Sequence, residues 1–245
     1  MRITQIFRHP MKSHGRETLG AVTLHAGQSM PFDRLWAVAH DASSVDGSDW
    51  APCQHFSRGS KAPSLMAINA KLNEASGILT LTHPDRPALS FDPDADAQEF
   101  LDWVRPLVPQ NRALPDRILR LPERGFTDTD FPSISLCNTA SHRAVEDITG
   151  ETLSPLRWRG NIWIEGPDAW EEFDWVGRDI RLGEAELHIE EPIVRCLATP
   201  ANPETGERDV DTLRALNTLG HQNFGIYARV TKTGRIATGD AVEVL

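Results

Sequence analysis

Two stretches near the C-terminus read almost alike. Ile180-Arg-Leu-Gly183-Glu184-Ala-Glu-Leu187 and Ile236-Ala-Thr-Gly239-Asp240-Ala-Val-Glu-Val244 each alternate apolar and polar residues, break at a glycine–acid pair, and alternate again. Alternation of period two around a turn of that kind predicts a hairpin in each case. Such short strands bury little by themselves and need a closed or stacked sheet around them. No repeat period or low-complexity segment accompanies them.

The rest of the chain fits the same grammar. Residues 2–7 alternate as a strand that Pro10 ends, Val22–Ala26 reads as a second, and Asp33–Ala39 as a third. Asp41–Lys61 is rich in Ser, Gly and Asp and predicts an exposed loop, with Trp50 and Phe56 as candidates to pin it. Leu65–Leu72 and Ile78–Thr82 predict a hairpin around Asn73–Gly77, whereas the prolines between Pro84 and Pro93 predict irregular chain. Asp94–Arg105 has an acidic front and an apolar face of Phe100, Leu101 and Val104, which predicts a helix stopped by Pro106 and Pro109. Prolines and arginines between Pro109 and Gly125 suggest a boundary that separates residues 1–118 from 119–245.

In the second half, Ser133–Cys137 predicts a short strand and Asn138 a helix cap for Ala140–Ile148, with Gly150 as the stop. Arg157–Glu165 predicts a further strand, and Val210–Leu219 a short helix ending at Gly220. Many short strands with three helices make an α+β chain whose main body is barrel-like sheet.

The chain of 245 residues carries 25 basic against 35 acidic side chains, a formal charge of −10. A net negative field repels polyanions, so general nucleic-acid binding is not expected. Cys53, Cys137 and Cys196 form neither an even framework nor a C-x-x-C pair, which argues against a disulfide scaffold and a zinc ribbon. The N-terminus has no apolar signal core and no run reaches membrane-spanning length, so a cytoplasmic protein is expected.

Four local constellations are able to carry chemistry. Ile193–Gly206 ends an apolar run, turns at Pro200 and closes on Asn-Pro-Glu-Thr-Gly, which holds Cys196 at a strand mouth beside Arg195. A neighbouring cation favours a thiolate that ligates soft metals or attacks electrophiles; a packed, inert cysteine is the alternative. Read as a strand, Arg157, Arg159 and Asn161 share one face between Trp158 and Trp163, an anion pocket or else a solvated face. Lys12-Ser13-His14-Gly15 at a strand exit and Asp33-Arg34 are weaker anion candidates without Walker spacing. His142, His188 and His221 have no zinc spacing, and the G-x-S-x-G of a serine hydrolase is absent.

Taken together these residues resemble a family. Arg195-Cys196-Leu-Ala-Thr199 followed by Asn202-Pro203-Glu-Thr205-Gly206 resembles the R-C-x-x-T-x-x-D-P-x-T-G signature of MOSC domains, named for the molybdenum cofactor sulfurase C-terminus. Pro10-Met-Lys12-Ser13 is similar to the P-V-K-S, and Phe32-Asp33-Arg34-Leu-Trp36 to the G-D-R-x-W, of the N-terminal domain that accompanies them. Asp130-Phe131-Pro132 with Ala140-Ser141, Arg157-Trp-Arg159-Gly-Asn161-Ile, Phe224-Gly-Ile-Tyr227 and Gly239-Asp240-Ala-Val-Glu-Val follow in the family's order. The resemblance is greatest to the two-domain type that includes the mitochondrial amidoxime reducing component and its bacterial relatives.

The resemblance implies a β-barrel MOSC core with a smaller β-rich N-terminal domain and a molybdenum–molybdopterin cofactor. Cys196 is implied as metal ligand and catalytic residue. Lys12, Ser13, Arg34, Arg159, Asn161 and Tyr227 are implied to hold the pterin, with Ser133 and Arg195 as further contacts. The implied activity is reduction of N-hydroxylated compounds with electrons from a separate ferredoxin- or cytochrome-type protein. Transfer of the cofactor or of a persulfide by Cys196 is the other implied activity, and a non-catalytic anion-binding domain a third reading. The family is also associated with pyridoxal phosphate binding. Four residues depart from the pattern: Val194 for a hydroxyl residue, Asn202 for aspartate, Gly160 for proline and Phe32 for glycine. A tight turn with positive φ at residue 32 is not expected to tolerate phenylalanine.

Overall fold

The computed structural model describes all 245 residues, Met1–Leu245. The first half contains β1 (Arg2–Arg8), β2 (Glu17–Leu19), β3 (Ala21–Leu24), β4 (Trp36–His40), β5 (Asn69–Leu72), β6 (Leu79–His83), β7 (Arg86–Phe91), α1 (Ala97–Val104) and β8 (Pro115–Arg120). The second contains β9 (Ile134–Asn138), α2 (Thr139–Thr149), β10 (Ile162–Glu165), β11 (Asp179–Leu182), β12 (Ala185–Val194), α3 (Thr212–Asn217), β13 (Asn223–Lys232), β14 (Gly234–Ala237) and β15 (Val242–Val244). The result is α+β, as the patterning predicts. No helix is long and apolar enough to cross a membrane.

The largest sheet has eight strands in the order β15-β11-β12-β13-β9-β10-β1-β2. Its one parallel pair, β9 with β10, is joined by α2, because a parallel return needs a crossover. Asn138 caps that helix by accepting from the Ala140 amide, and Gly150 ends it in the left-handed region. β1 and β2 extend this sheet from the first half, β1 pairing with β10. Elsewhere β3 pairs with β14, β4 with β8, and β5-β6-β7 form a small antiparallel sheet. Residue 118 lies inside β8, opposite Val38 of β4.

Apolar faces close two main cores. Ile3, Ile6, Leu136, Ile162, Leu187 and Ile226 pack in the large sheet's core; Met11, Trp36, Leu65, Phe91 and Phe100 pack in the other. A smaller cluster of Trp158, Trp163, Phe224 and Cys137 lies beside the large sheet. Each such side chain contributes about 1.5–3 kcal/mol by leaving water.

Several expectations need correction. Pro84–Pro93 is not irregular: β7 occupies most of it as an edge strand, with Pro87 at a break in the β6–β7 register where no ladder donor is required. Leu65–Ala67 belongs to a 3₁₀ turn, and Asp33–Leu35 lies before β4. Ile236–Val244 does not fold back on itself: β14 pairs with β3, and β15 with β11. The Gly239-Asp240 turn is instead tied to β1, with the Ile3 amide donating to the Asp240 carbonyl and Gly239 to Ile3.

Arg157–Asn161 is not a strand either. Pro155 opens a 3₁₀ turn, Arg159 is left-handed at φ 50°, and β10 begins only at Ile162. Arg157, Arg159 and Asn161 therefore do not share one strand face: the two arginines line the chamber described below, and Asn161 does not. Gly160 follows from the same packing, because a Cβ there would lie 2.5 Å from Cys137 Sγ. Gly160→Ala is expected to cost about 2 kcal/mol in urea unfolding. Adding Cys137→Ala should recover most of that loss, and strictly additive effects would show that this clash does not set the choice of glycine.

Candidate functional site

A chamber of about 640 Å³ opens between the two halves. The exit of β1 and the turn before β4 supply Lys12, Ser13 and Arg34. The second half supplies Arg159, Arg195, Cys196 and Tyr227. Seven of the nine residues singled out from sequence thus line one cavity. Ser133 and Asn161 are not among the lining residues. Ser133 is buried and accepts from Thr129. Asn161 is buried behind the wall, where its side chain donates to the Phe7 carbonyl and accepts from Ser135 and, at 3.5 Å, from Arg34.

The deep end is cationic. Lys12 donates to the Phe126 carbonyl and pairs with Asp128. Arg34 pairs with the buried Asp33 and donates to the Arg159 carbonyl at 3.1 Å. Arg159 donates through Nη2 to the Gly15 carbonyl, but its Nη1 is buried without a partner. Burial, and then the nearby Arg34 and Arg16, pull the Arg159 guanidinium down to about 9. Burial opposes ionisation of Asp33 and Asp128, yet Arg34 beside the one and Lys12 beside the other hold both well below the usual carboxylate range. Of Lys12, Arg34 and Arg159, only Arg159 lacks a carboxylate partner.

Backbone strain gathers at the same place. Ser13, Phe32, Arg34 and Arg159 all have left-handed φ between 50° and 63°. Non-glycine residues rarely take that conformation, which costs on the order of 1–3 kcal/mol each. Phe32 therefore does occupy the positive-φ position that its bulk argued against, at φ 61°, with the Arg8 guanidinium 5.4 Å from its ring centroid.

Cys196 lines the same chamber, two residues beyond β12, and is exposed. Thr199 closes its turn: backbone amide and hydroxyl both donate to the Cys196 carbonyl, and the hydroxyl also bonds the Thr212 hydroxyl at the start of α3. Farther along, Gly206 lies against Ser64, where a Cβ would come within 2.5 Å of that residue's Cα. Asn202 is suited by what it faces, since its amide donates to Asp209 at 2.8 Å and a carboxylate there would be repelled. Val194, 71% exposed, leaves the edge of the mouth apolar.

Arg195 does not serve Cys196 as the sequence reading supposed. Its guanidinium donates to the Phe224 and Trp158 carbonyls and lies 5.6 Å from each of those ring centroids. Its third nitrogen is 3.8 Å from Cys137 Sγ, a thiol that burial pushes up to about 12. Arg157 is likewise committed elsewhere, to Asp209 and the Pro200 carbonyl.

Other chamber residues escaped the sequence reading. Asp128 and Ser135 carried no motif. Trp50, Cys53 and Arg58 line the chamber from the loop at 41–61. Trp50 donates to the Thr127 carbonyl, and Phe56 packs edge-on to Phe126 at 4.9 Å, so both pin the loop as expected. Tyr227 faces the chamber with a hydroxyl that burial, then Asp128, push above its usual range.

Beneath the cations, His9 and His14 are buried and neutral. Burial lowers His9 to about 3 and His14 to about 4, with Arg159 adding to both. The His14 ring bonds the Lys12 carbonyl, and the Asp33 carboxylate accepts from the His9 amide.

Residues 124–243 match the profile of the MOSC domain and residues 1–105 that of the MOSC N-terminal beta barrel domain. Among curated proteins, the molybdenum cofactor sulfurase of Drosophila ananassae is 32% identical over 142 residues, which is 52% of this chain and 18% of that protein. That of Drosophila grimshawi is 34% identical over 144 residues, 53% of this chain and 18% of its own length. The chain thus spans less than a fifth of these relatives. The solved YUAD protein from Bacillus subtilis aligns over 99% of this chain and 94% of its own at a TM-score of 0.48 and 14% identity, a likeness too distant to add to the assignment.

Neutral burial of His9 and His14 fixes a pH dependence. Both histidines bind protons near 6.5 when unfolded but only near 3 and 4 when folded, so the unfolded state takes up more protons below pH 6.5. Stability should therefore fall as pH drops from 6.5 toward 4, with a slope approaching about 2.7 kcal/mol per pH unit. Urea unfolding between pH 7 and pH 5 measures it, and an unchanged free energy would contradict neutral burial.

Proposed function

The chain belongs to the MOSC family, with the family's N-terminal domain ahead of the MOSC domain itself, and on that premise we propose that it is a molybdenum-cofactor oxidoreductase acting on N-hydroxylated compounds. Amidoximes, hydroxylamines and N-hydroxylated bases are the substrate class. The observation that carries this reading is the pairing of Arg159 Nη1, buried without an acceptor, with an exposed thiol on the wall of the same chamber.

The donor set fits the group. A terminal phosphate satisfies Arg159, since a guanidinium matches phosphate oxygens, and a thiolate suits a soft metal. Lys12, Ser13, Arg34 and Arg159 would hold the phosphate end, Tyr227 the pterin, and Cys196 the metal. Asn161 and Ser133 would act from behind, Asn161 through Arg34, while Arg195 braces the wall at Trp158 and Phe224. Bound there, the cofactor supplies a two-electron centre for cleaving an N–O bond, with two protons leaving as part of the water formed.

The chain's own residues orient the substrate and exclude water. Trp50 and Trp158 wall the cavity, and Val194 makes part of its lining apolar. The Tyr227 hydroxyl keeps its proton through neutral pH, so it serves as a hydrogen-bond donor while solvent delivers protons. Electrons come from a separate ferredoxin- or cytochrome-type protein. The Lys12 ammonium bonds Asp128 and the Phe126 carbonyl and has a third donor for a phosphate oxygen.

A second reading is favoured by the exposure of Cys196 and by the naming of the curated relatives as sulfurases: a carrier that hands on cofactor or persulfide sulfur. One preparation distinguishes the two. Protein from a cofactor-competent host should retain molybdenum and releasable pterin, Cys196→Ala should lose the metal, and Arg159→Ala should retain less pterin. Turnover of an amidoxime with a chemical reductant supports the reductase. Retained cofactor without turnover, together with a one-sulfur mass increase on Cys196, supports the carrier. Wild-type protein free of molybdenum would overturn both cofactor readings.

A further inference from the structure

A second, smaller cavity of about 180 Å³ lies behind the loop that walls the chamber. Its charged lining is Arg58, Lys61 and Arg112, joined by His40, and no aspartate or glutamate lines it. In a chain with 35 acidic against 25 basic side chains, three cations around one cavity invite neutralisation. None receives it: Arg58, Lys61 and Arg112 form no ion pair, and the side chains of Lys61 and Arg112 make no hydrogen bond at all. The one bond from the Arg58 side chain goes to Cys53 Sγ at 3.0 Å. His40 donates through Nε2 to the Gln54 carbonyl, and its Nδ1 is buried without a partner.

We propose that this cavity is a binding site for a small monocarboxylate with a compact apolar body. The charge of the lining selects an anion, and the fork of an arginine matches a carboxylate. Phe56 and Val108, both buried, supply apolar wall on the same cavity. A cavity of about 150 Å³ admits one benzene ring, so the volume here suits a single ring or a short branched chain. The site is separate from the deep cations of the chamber and does not depend on the chemistry at Cys196.

Arg58 links the two spaces. It lines both cavities, and its guanidinium already bonds the Cys53 sulfur that faces the chamber. A carboxylate that recruits this guanidinium competes with Cys53 for it, so occupancy of the small cavity alters the reactivity of a thiol in the large one.

Benzoate is the probe, and benzamide its neutral counterpart. Benzoate should bind the purified chain saturably in calorimetry, and benzamide at least about tenfold more weakly, because a neutral amide forfeits the charge-assisted contacts. Lys61→Ala and Arg112→Ala each remove an exposed, unbonded side chain, so both variants should fold normally. Together they should weaken benzoate about tenfold or more. Benzoate that saturates the wild type should also change the rate at which iodoacetamide alkylates Cys53 by about threefold, and the double variant should need about tenfold more benzoate for the same change. The proposal is overturned by failure of benzoate to bind, by equal affinity for benzamide, by unaltered affinity in the double variant, or by a Cys53 rate indifferent to bound benzoate.

Discussion

The Arg159 guanidinium keeps a buried Nη1 with no internal partner, and much of the site is arranged around it. Lys12 is answered by Asp128 and Arg34 by Asp33, which leaves Arg159 with a bare Nη1. An uncompensated charge away from water costs several kcal/mol. Three of the left-handed residues on this wall add strain of their own. A fold retains such costs only where its surroundings over-determine them. Asn161 supplies one such restraint by linking β1, β9 and Arg34. Gly125 supplies another, packed so tightly on the Asp33 carbonyl that a Cβ would come within 2.1 Å of it.

The same interlocking brings the thiol to the cations. β1 and β2 complete the large sheet, and β3 closes on β14, so the first 24 residues are built into the second half. The Arg16 guanidinium reaches from that segment to the Met66 and Ile68 carbonyls on one side and to the Pro203 carbonyl on the other. Gly206, packed on Ser64, fixes the far end of the Cys196 turn. The chamber is thus a consequence of how the two halves are sewn together, and neither half holds both the thiol and the Lys12 and Arg34 cations.

Much of this was legible in the chain and some was not. The Ile180–Leu187 hairpin, the Asn138 cap and the turn after Cys196 follow from local pattern and turn chemistry, so sequence shows them. The stretch Arg157–Asn161 alternates like a strand, but Pro155 and a left-handed Arg159 break it, and partners 43 and 52 residues away claim Arg157. The second supposed hairpin fails for a related reason, because its turn is held by Ile3 from the opposite end of the chain. Family resemblance found seven chamber residues yet could not separate the two that stand behind the wall. Cys53, Arg58 and Asp128 were invisible because only long-range packing brings them there. The departures at Gly160 and Asn202 become intelligible once Cys137 and Asp209 are seen beside them.

The central claim is that Arg159 and the exposed thiol hold the two ends of one cofactor. X-ray absorption at the molybdenum edge tests it most directly, on wild-type protein and on Cys196→Ser reconstituted with the same cofactor. The account predicts one fewer sulfur neighbour around the metal in the variant. An identical sulfur coordination number in both proteins would contradict it.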